Sequence, residues 1–567
     1  MVLRAPRLCG FLACLPIVAS CAIDTREEGA PPAANGASAG VASGGAAGSA
    51  TAGAAAGGTS SAGAAPGGSS AGGTGGSSVA NGGTGAVPGP TPVPPRPTEA
   101  CPGLTLEENV TVADYDTDRF SWNDAFCKPR QAAMVRVGGG YVRQFVYDVD
   151  GTPRVATGTM ANGVVAGWGY AVSHFGDGGN SAMGAPGTFE PIFVGAHHAL
   201  YQYKITQTIT GQQIPITFNW FFATGRNNPV LAVTYDMTGA PVGSMNADIR
   251  TPYGDIAWTG DENLGRVLIS GVGWGDRYRF RTTTSPLTMN SEWDYTQPNE
   301  VPYVQEWTDT PDAEMGAVQT QTQTQHDAGG SWYYSNWGKT SANRSSDSTQ
   351  VGAMPSTWNW PYQLNQYSLC MEDPACVNTP TDSHRLAWGT NRGAVGGSTM
   401  GSPMYNAFGD DRQVSGYPYQ SYSVFMVLGK HSESTVLGQV GEIETVQKTT
   451  LTASVGSVPT MGPGGAGRTD EVTLEPAGYD ARYSVWTAVA AGNQLELSAQ
   501  VAAGSLYNPV LVIQNYTASN PPAVSFNGET LTNDVDYVVS VDAVAQKAWI
   551  TFRLPWTSTT AISISGS

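Results

Sequence analysis

A chain of 567 residues with 46 acidic side chains against 28 basic ones carries a formal net charge of −18. Nucleic acid and anionic lipid surfaces are held by basic patches, so this balance excludes both as main partners and leaves neutral or cationic substrates and calcium open. The length allows two to four domains, and 15 Trp and 24 Tyr supply flat rings that fill β cores and also cover the apolar faces of sugars.

The chain opens with Arg4 and Arg7 ahead of an apolar run from Leu8 to Val18. That run is too short to cross a bilayer and has the length of a signal-peptide core. Val18-Ala19-Ser20-Cys21 follows. An aliphatic residue, two small residues and a Cys in this place resemble the lipobox of bacterial lipoproteins. The resemblance implies a signal peptide over 1–20, cleavage before Cys21 and acylation of its thiol. It also implies an exported protein that touches the membrane only through its lipid. Ala22, where an Asp would favour the inner membrane, points to the outer membrane or cell surface.

Residues 21–100 are mostly Gly, Ala, Ser, Thr and Pro. Such a segment buries too little apolar surface to offset its conformational entropy, and it is expected to act as a flexible tether reaching roughly 50 Å. Four cysteines lie beyond it: Cys101, Cys127, Cys370 and Cys376. An even number in an oxidising compartment predicts disulfides. The local pairs, Cys101 with Cys127 and Cys370 with Cys376, are favoured among the three pairings that sequence permits.

Over 101–450 the pattern is strands and turns. Tyr141, Arg143, Phe145 and Tyr147 alternate with Val142, Gln144 and Val146 before Asp150-Gly151, which predicts a hairpin. Further strands are expected over 200–210, 214–224, 230–237, 266–273 and 278–284, and no segment shows helical periodicity over three turns. Val318 to His326 alternates Gln and Thr. It reads either as a polar edge strand or as the floor of a wet cleft walled by Trp332, Tyr333, Tyr334 and Trp337. Gly and Pro accumulate over 451–469, and 451–567 then has the length of an immunoglobulin-like sandwich without Cys. The predicted class is all-β: a large β-sandwich or supersandwich followed by a small immunoglobulin-like β-sandwich.

No zinc-protease, nucleotide-loop or nucleophile-elbow motif is present. The densest chemistry is Asp248-Ile249-Arg250-Thr251-Pro252-Tyr253-Gly254-Asp255, followed by Trp274-Gly275-Asp276-Arg277-Tyr278. Two acid–Arg–Tyr groups on successive strand ends would suit a glycosidase, which needs two carboxyl groups about 5–10 Å apart. They would equally suit a lyase, which needs a base and a cation for the uronate. The alternative is that they are Asp–Arg pairs bracing turns. The catalytic candidates are Asp248, Asp255 and Asp276, with Glu190 and His198. The substrate-binding candidates are Arg250, Tyr253, Trp274, Arg277, His326, Trp332 and Trp337. Asp114, Asp116 and Asp118 resemble the start of an EF-hand loop. Arg119 stands where that loop needs Gly and its final Glu is missing, so only generic calcium binding is implied. The chemistry expected here requires no cofactor.

The outline of the body, a large polar Trp-rich β region followed by a small sandwich, is similar to carbohydrate-active enzymes built on galactose-mutarotase-like supersandwiches. That resemblance implies an enzyme cleaving an extracellular polysaccharide, hydrolysis ahead of elimination. The alternative is a non-catalytic glycan-binding or adhesive surface lipoprotein. Cys21→Ser is expected to abolish acyl labelling and to release the protein from pelleted membranes. Continued pelleting of this variant, with no acyl label on the unaltered protein, would remove the lipoprotein reading.

Overall fold

Asp150 and Gly151 both take positive φ, 53° and 79°. The strands Val142–Val149 and Thr152–Gly158 run antiparallel through them, with Val149 opposite Thr152. Two central residues of positive φ give a turn whose twist matches the strands it joins. The computed structural model describes residues 95–136, 140–158, 160–161, 164–165, 167–173, 180–181, 185–209, 211–236, 249–259, 271–275, 281–283, 301, 303–309, 312–321, 362–364, 385–389, 419–463, 465 and 471–566.

The fold is all-β, as expected, and built of packed sheets whose described strands pair antiparallel except Val485–Val489 with Val510–Gln514, which run parallel. One ten-stranded sheet runs in the spatial order Thr105–Val112, Tyr115–Asn123, Pro129–Val135, Val142–Val149, Thr152–Gly158, Ile249–Thr259, Arg385–Gly389 and Tyr362–Leu364, with Trp168–Ser173 pairing to Ile249–Thr259 and Asn180–Ser181 pairing to Trp168–Ser173. A nine-stranded sheet has the order Gly187–Val194, His198–Ile209, Gln212–Ala223, Val230–Asp236, Tyr419–Gly429, Asp312–Gln319, Tyr303–Asp309, Gly271–Gly275 and Arg281–Thr283. Between them lies one core, where Phe120, Phe145 and Trp168 meet Tyr201, Trp220, Phe222 and Met426. Phe120 stacks on Phe222 with ring centroids 4.5 Å apart.

The outer face of the nine-stranded sheet is apolar too. Phe221, Val230, Ala232, Phe425 and Val427 alternate with the inward residues and form a second core. Onto it pack the helix Thr435–Gln447, here α1, through Val436 and Ile443, and the C-terminal sandwich through Tyr483, Val485, Val510 and Trp549. Burial on both faces explains why these strands read as continuous apolar runs rather than alternating ones. The C-terminal sandwich has two five-stranded sheets around Trp486, Phe552 and Trp556. It belongs to the same compact unit as the large sheets.

Two expectations are corrected. The helix α1 was not visible as periodicity: its buried residues are Val436, Gln439, Ile443 and Val446, and Gly438, Gly441 and a polar Gln inside the stripe dilute the signal. The Gln/Thr run does not begin as an exposed edge. Val318 and Gln319 end the strand Asp312–Gln319, held between Tyr303–Asp309 and Tyr419–Gly429, and Gln319, Thr320 and Gln321 are buried. Residues 322–326 lie outside the described residues.

The segment ahead of the first strand straps across the C-terminal sandwich. Arg96 pairs with Glu529 at 2.7 Å and Asp536 at 3.3 Å. The Cys101 N–H donates to the Asp534 carbonyl at 3.1 Å, and Arg553 donates to the Glu99 carbonyl at 2.9 Å. The expected disulfide between Cys101 and Cys127 is formed, with its Cα atoms 5.6 Å apart. Cys370 and Cys376 lie outside the described residues, as does Cys21. Closing a loop of this sequence separation, 26 residues, is worth about 3 kcal/mol in the chain-entropy account. Cys101→Ser combined with Cys127→Ser is therefore expected to lower unfolding free energy by about that amount in denaturant titrations. An unchanged midpoint and slope would contradict the assignment.

Candidate functional site: a cleft beside the helix

The helix α1 is fixed at its start by a buried acid. Glu314, fully enclosed, accepts from the Val436 N–H at 3.3 Å and contacts Nδ1 of His431 at 3.2 Å. A carboxyl group there faces the positive end of the helix dipole. Burial raises its pKa, and His431 and the helix N–H groups pull it partly back. His431 lies flat on Trp307, with ring centroids 4.3 Å apart.

A cleft of about 430 Å³ runs beside this helix, within the range of small-molecule and oligosaccharide sites. Its walls are α1, the turns at 125–126 and 225–228, and residues 504–508 of the C-terminal sandwich. The sequence shapes each wall. Gly225 takes φ +90°, and a Cβ there would meet Thr551 at 2.8 Å. Asn228 donates to Gln439 at 3.1 Å and so ties the turn to the helix. Asn227 accepts the Ala125 N–H at 3.1 Å. Arg226 sends its guanidinium inward, to the carbonyls of Tyr483 and Ser484, and thereby joins the large sheets to the C-terminal sandwich.

Three acidic side chains line the cleft: Glu433, Glu442 and Glu444. Glu442 lies on α1 beside Gln439. Loss of hydration raises its pKa, and Arg226 and a hydrogen bond from Gln439, 2.9 Å long, only partly oppose this. A carboxyl group that keeps its proton to higher pH can donate it to a leaving oxygen. The rings of Phe126 and Tyr507 and the amides of Asn227 and Asn508 also line the space. The arrangement can therefore cover an apolar ring face, bond to hydroxyl groups and supply a proton.

None of the described sequence candidates lines this cleft. Glu190 is exposed on the edge strand Gly187–Val194, opposite Gln202. Arg250, Tyr253 and Asp255 lie on Ile249–Thr259 in the ten-stranded sheet, with Tyr253 opposite Ala387 and Asp255 opposite Arg385. Trp274 lies on Gly271–Gly275 in the nine-stranded sheet, opposite Val304. Trp274 and the Arg250–Asp255 stretch thus lie in different sheets. Asp248, Asp276, Arg277, His326, Trp332 and Trp337 lie outside the described residues.

His198 requires a correction. It is 0% exposed, and its ring bridges Ser540 at 3.0 Å and Thr551 at 2.9 Å, packed beside Phe221 and Trp549. With both ring nitrogens engaged away from solvent, it is a joint between the large sheets and the C-terminal sandwich, not a base facing a cleft. Asp118 is similarly committed: it accepts from Tyr201 and from the Asn109 N–H at 3.1 Å, and it pairs with Arg136 at 3.3 Å. Asp116 is exposed and contacts Thr111, and Asp114 sits in the preceding turn with φ 68°. Among the described residues no three His, Cys, Asp or Glu side chains are grouped as cation ligands.

Sequence reading missed the cleft because five separated segments build it. The available signals were the Gly225-Arg226-Asn227-Asn228 turn and the i, i+3 pair Gln439 and Glu442.

No protein-family model matches the chain, and none of the curated proteins does. Solved structures that resemble it include an alpha-mannosidase from Enterococcus faecalis V583, at 10% identity and a TM-score of 0.27, over 78% of this chain and 42% of that one. Another is HI1317, at 10% identity and a TM-score of 0.26, over 57% of this chain and 99% of that one. The chain thus spans less than half of the mannosidase, and likenesses at this level carry no argument about chemistry.

The His198 environment has a measurable consequence. Burial, then His197 and Arg226, hold its pKa well below the ordinary imidazole value. The folded protein keeps it neutral while the unfolded chain takes up a proton below about pH 6.5. Its contribution to stability is present above that pH and is lost as pH falls. His198→Gln is expected to be less stable than the unaltered protein at pH 7.5, yet to lose less on acidification to pH 5, by up to about 2 kcal/mol. Parallel pH–stability curves for the two proteins would refute this.

Proposed function

We propose that this protein is a surface-anchored lipoprotein acting on an extracellular polysaccharide, by hydrolysis in preference to elimination, with the cleft beside α1 as its working site. The observation that carries this reading is the raised Glu442 carboxyl group inside a 430 Å³ cleft also lined by amides, rings and further acids. In hydrolysis Glu442 would protonate the glycosidic oxygen as the bond to the anomeric carbon breaks. A second acid, Glu433 or Glu444, would assist water or attack from the other side. The amides of Asn227 and Asn508 would hold sugar hydroxyls. Elimination would need a cation turned toward a uronate, and Arg226 faces the other way.

The second reading is a glycan-binding module without turnover, which the exposed ring of Phe126 also suits. One experiment separates the two. The full chain is incubated with a panel of polysaccharides, and both retention and released reducing ends are measured. Hydrolysis predicts release that falls by about 10²-fold or more in Glu442→Gln while retention persists. Retention with no release from the unaltered protein would put the binding module ahead. Neither retention nor release across the panel would defeat both readings.

A further inference from the structure

Phe126 is 44% exposed, yet it sits on one of the most tightly tied turns in the molecule. Asp124 Oδ1 accepts the N–H groups of Phe126 and Lys128, each at 2.9 Å. The Asp124 carbonyl accepts the Cys127 N–H at 2.9 Å. The preceding residue, Ala125, donates to Asn227, and the following one, Cys127, is cross-linked to Cys101. An aromatic ring left in water gains nothing from burial, and backbone anchoring on both sides fixes where it is presented. A ring placed in advance loses little freedom when a ligand settles on it. Tyr507, partly buried, contributes a second ring to the same cleft from the C-terminal sandwich.

The charge lining the cleft adds a constraint on what those rings meet. Glu433, Glu442 and Glu444 stand against Arg226, the one cationic side chain among the lining residues. Arg226 is buried, bonded to two carbonyls of the C-terminal sandwich and placed 5.9 Å from the centre of the Phe425 ring. It presents no free guanidinium to a ligand. Lys430 pairs with Glu433 at 3.5 Å and with Asp150 at 2.7 Å and is not among the lining residues, so an anionic chain entering here would meet net negative charge.

We infer that Phe126 and Tyr507 are the ring platforms of a subsite for an uncharged glycan, and that chains of uronate or sulfated sugars are turned away from it. This rests on the glycan reading above and narrows it to a substrate class and to the residues that select it. The apolar face of a pyranose lies on the ring while its equatorial hydroxyl groups reach the amides of Asn227 and Asn508. Asp124 and the disulfide act as positioning groups for the Phe126 platform, since they touch the turn and not the sugar.

The test is calorimetric titration of the full chain with uncharged hexasaccharides (β-1,4-linked glucose, mannose and xylose, and α-linked glucose and mannose) and with a galacturonate hexamer. At least one uncharged hexamer is expected to bind. Phe126→Ala should weaken that binding by about tenfold or more, and Phe126→Trp should keep it within about threefold, because a flat ring is restored. The galacturonate hexamer should bind about tenfold more weakly than the best uncharged one. Thermal unfolding of Phe126→Ala, unchanged from the parent, separates loss of the platform from loss of the fold. Uncharged binding that is indifferent to Phe126→Ala overturns the platform while leaving the glycan reading standing. Equal or tighter binding of galacturonate overturns the charge selection. Absence of binding by every hexamer overturns the glycan reading and this inference with it.

Discussion

The rest of the architecture depends on the middle of one sheet being buried on both faces. Along Gln212–Ala223, Trp220 and Phe222 enter the core shared with the ten-stranded sheet, while Phe221 enters the core shared with α1 and the C-terminal sandwich. Leu231 and Val233 alternate with Val230 and Ala232 in the same way one strand over. A one-residue slip in register would exchange these two sets, and both cores would be mispacked together. The register is therefore fixed twice over, which is stronger than a sheet with one wet face can achieve.

The cleft is a by-product of that layering. A helix and a sandwich both dock on the outer face of the sheet, and no two convex bodies cover a surface without leaving a seam. Polar groups that would be costly inside either core collect there: the Asn227-Asn228 turn, the Gln439 amide and the Glu442 carboxyl group. Asn227 is tied to Ala125 and Asn228 to Gln439 across walls of the seam, so the polar lining also fixes the distance between them. Arg226 joins the same walls from below, where its guanidinium donates to the Tyr483 and Ser484 carbonyls of the C-terminal sandwich.

Local chemistry was legible in the sequence and long-range assembly was not. The Asp150-Gly151 hairpin could be read because two adjacent residues specify it. The Cys101–Cys127 bridge could be read because its partners are close along the chain. The strands at 200–209 and 214–223 could be read because β-branched and aromatic residues run between clear turns. The helix was hidden because only part of one face is apolar and glycines interrupt it. The cleft was hidden because its lining comes from residues some four hundred positions apart, and none of its segments is a motif alone. His198 shows the opposite error. A histidine a few residues after Glu190 reads as chemistry in the sequence, but the interface that encloses it is made by Ser540 and Thr551, more than three hundred residues later.

The Cys101–Cys127 bond also decides how the molecule carries mechanical load. Tension applied to the chain ahead of residue 95 first meets Arg96, whose ion pairs to Glu529 and Asp536 resist with non-covalent strength. It then reaches Cys101, where the covalent path leads directly to Cys127. The edge strand Thr105–Val112 and its neighbour Tyr115–Asn123 lie inside the loop so bypassed. They are the strands most easily peeled, since the outermost has a partner on one side alone. Force is handed past them to Pro129–Val135, which is hydrogen-bonded on both sides. Pulling the folded body against that leading segment would thus load the interior of the sheet and leave its exposed border slack.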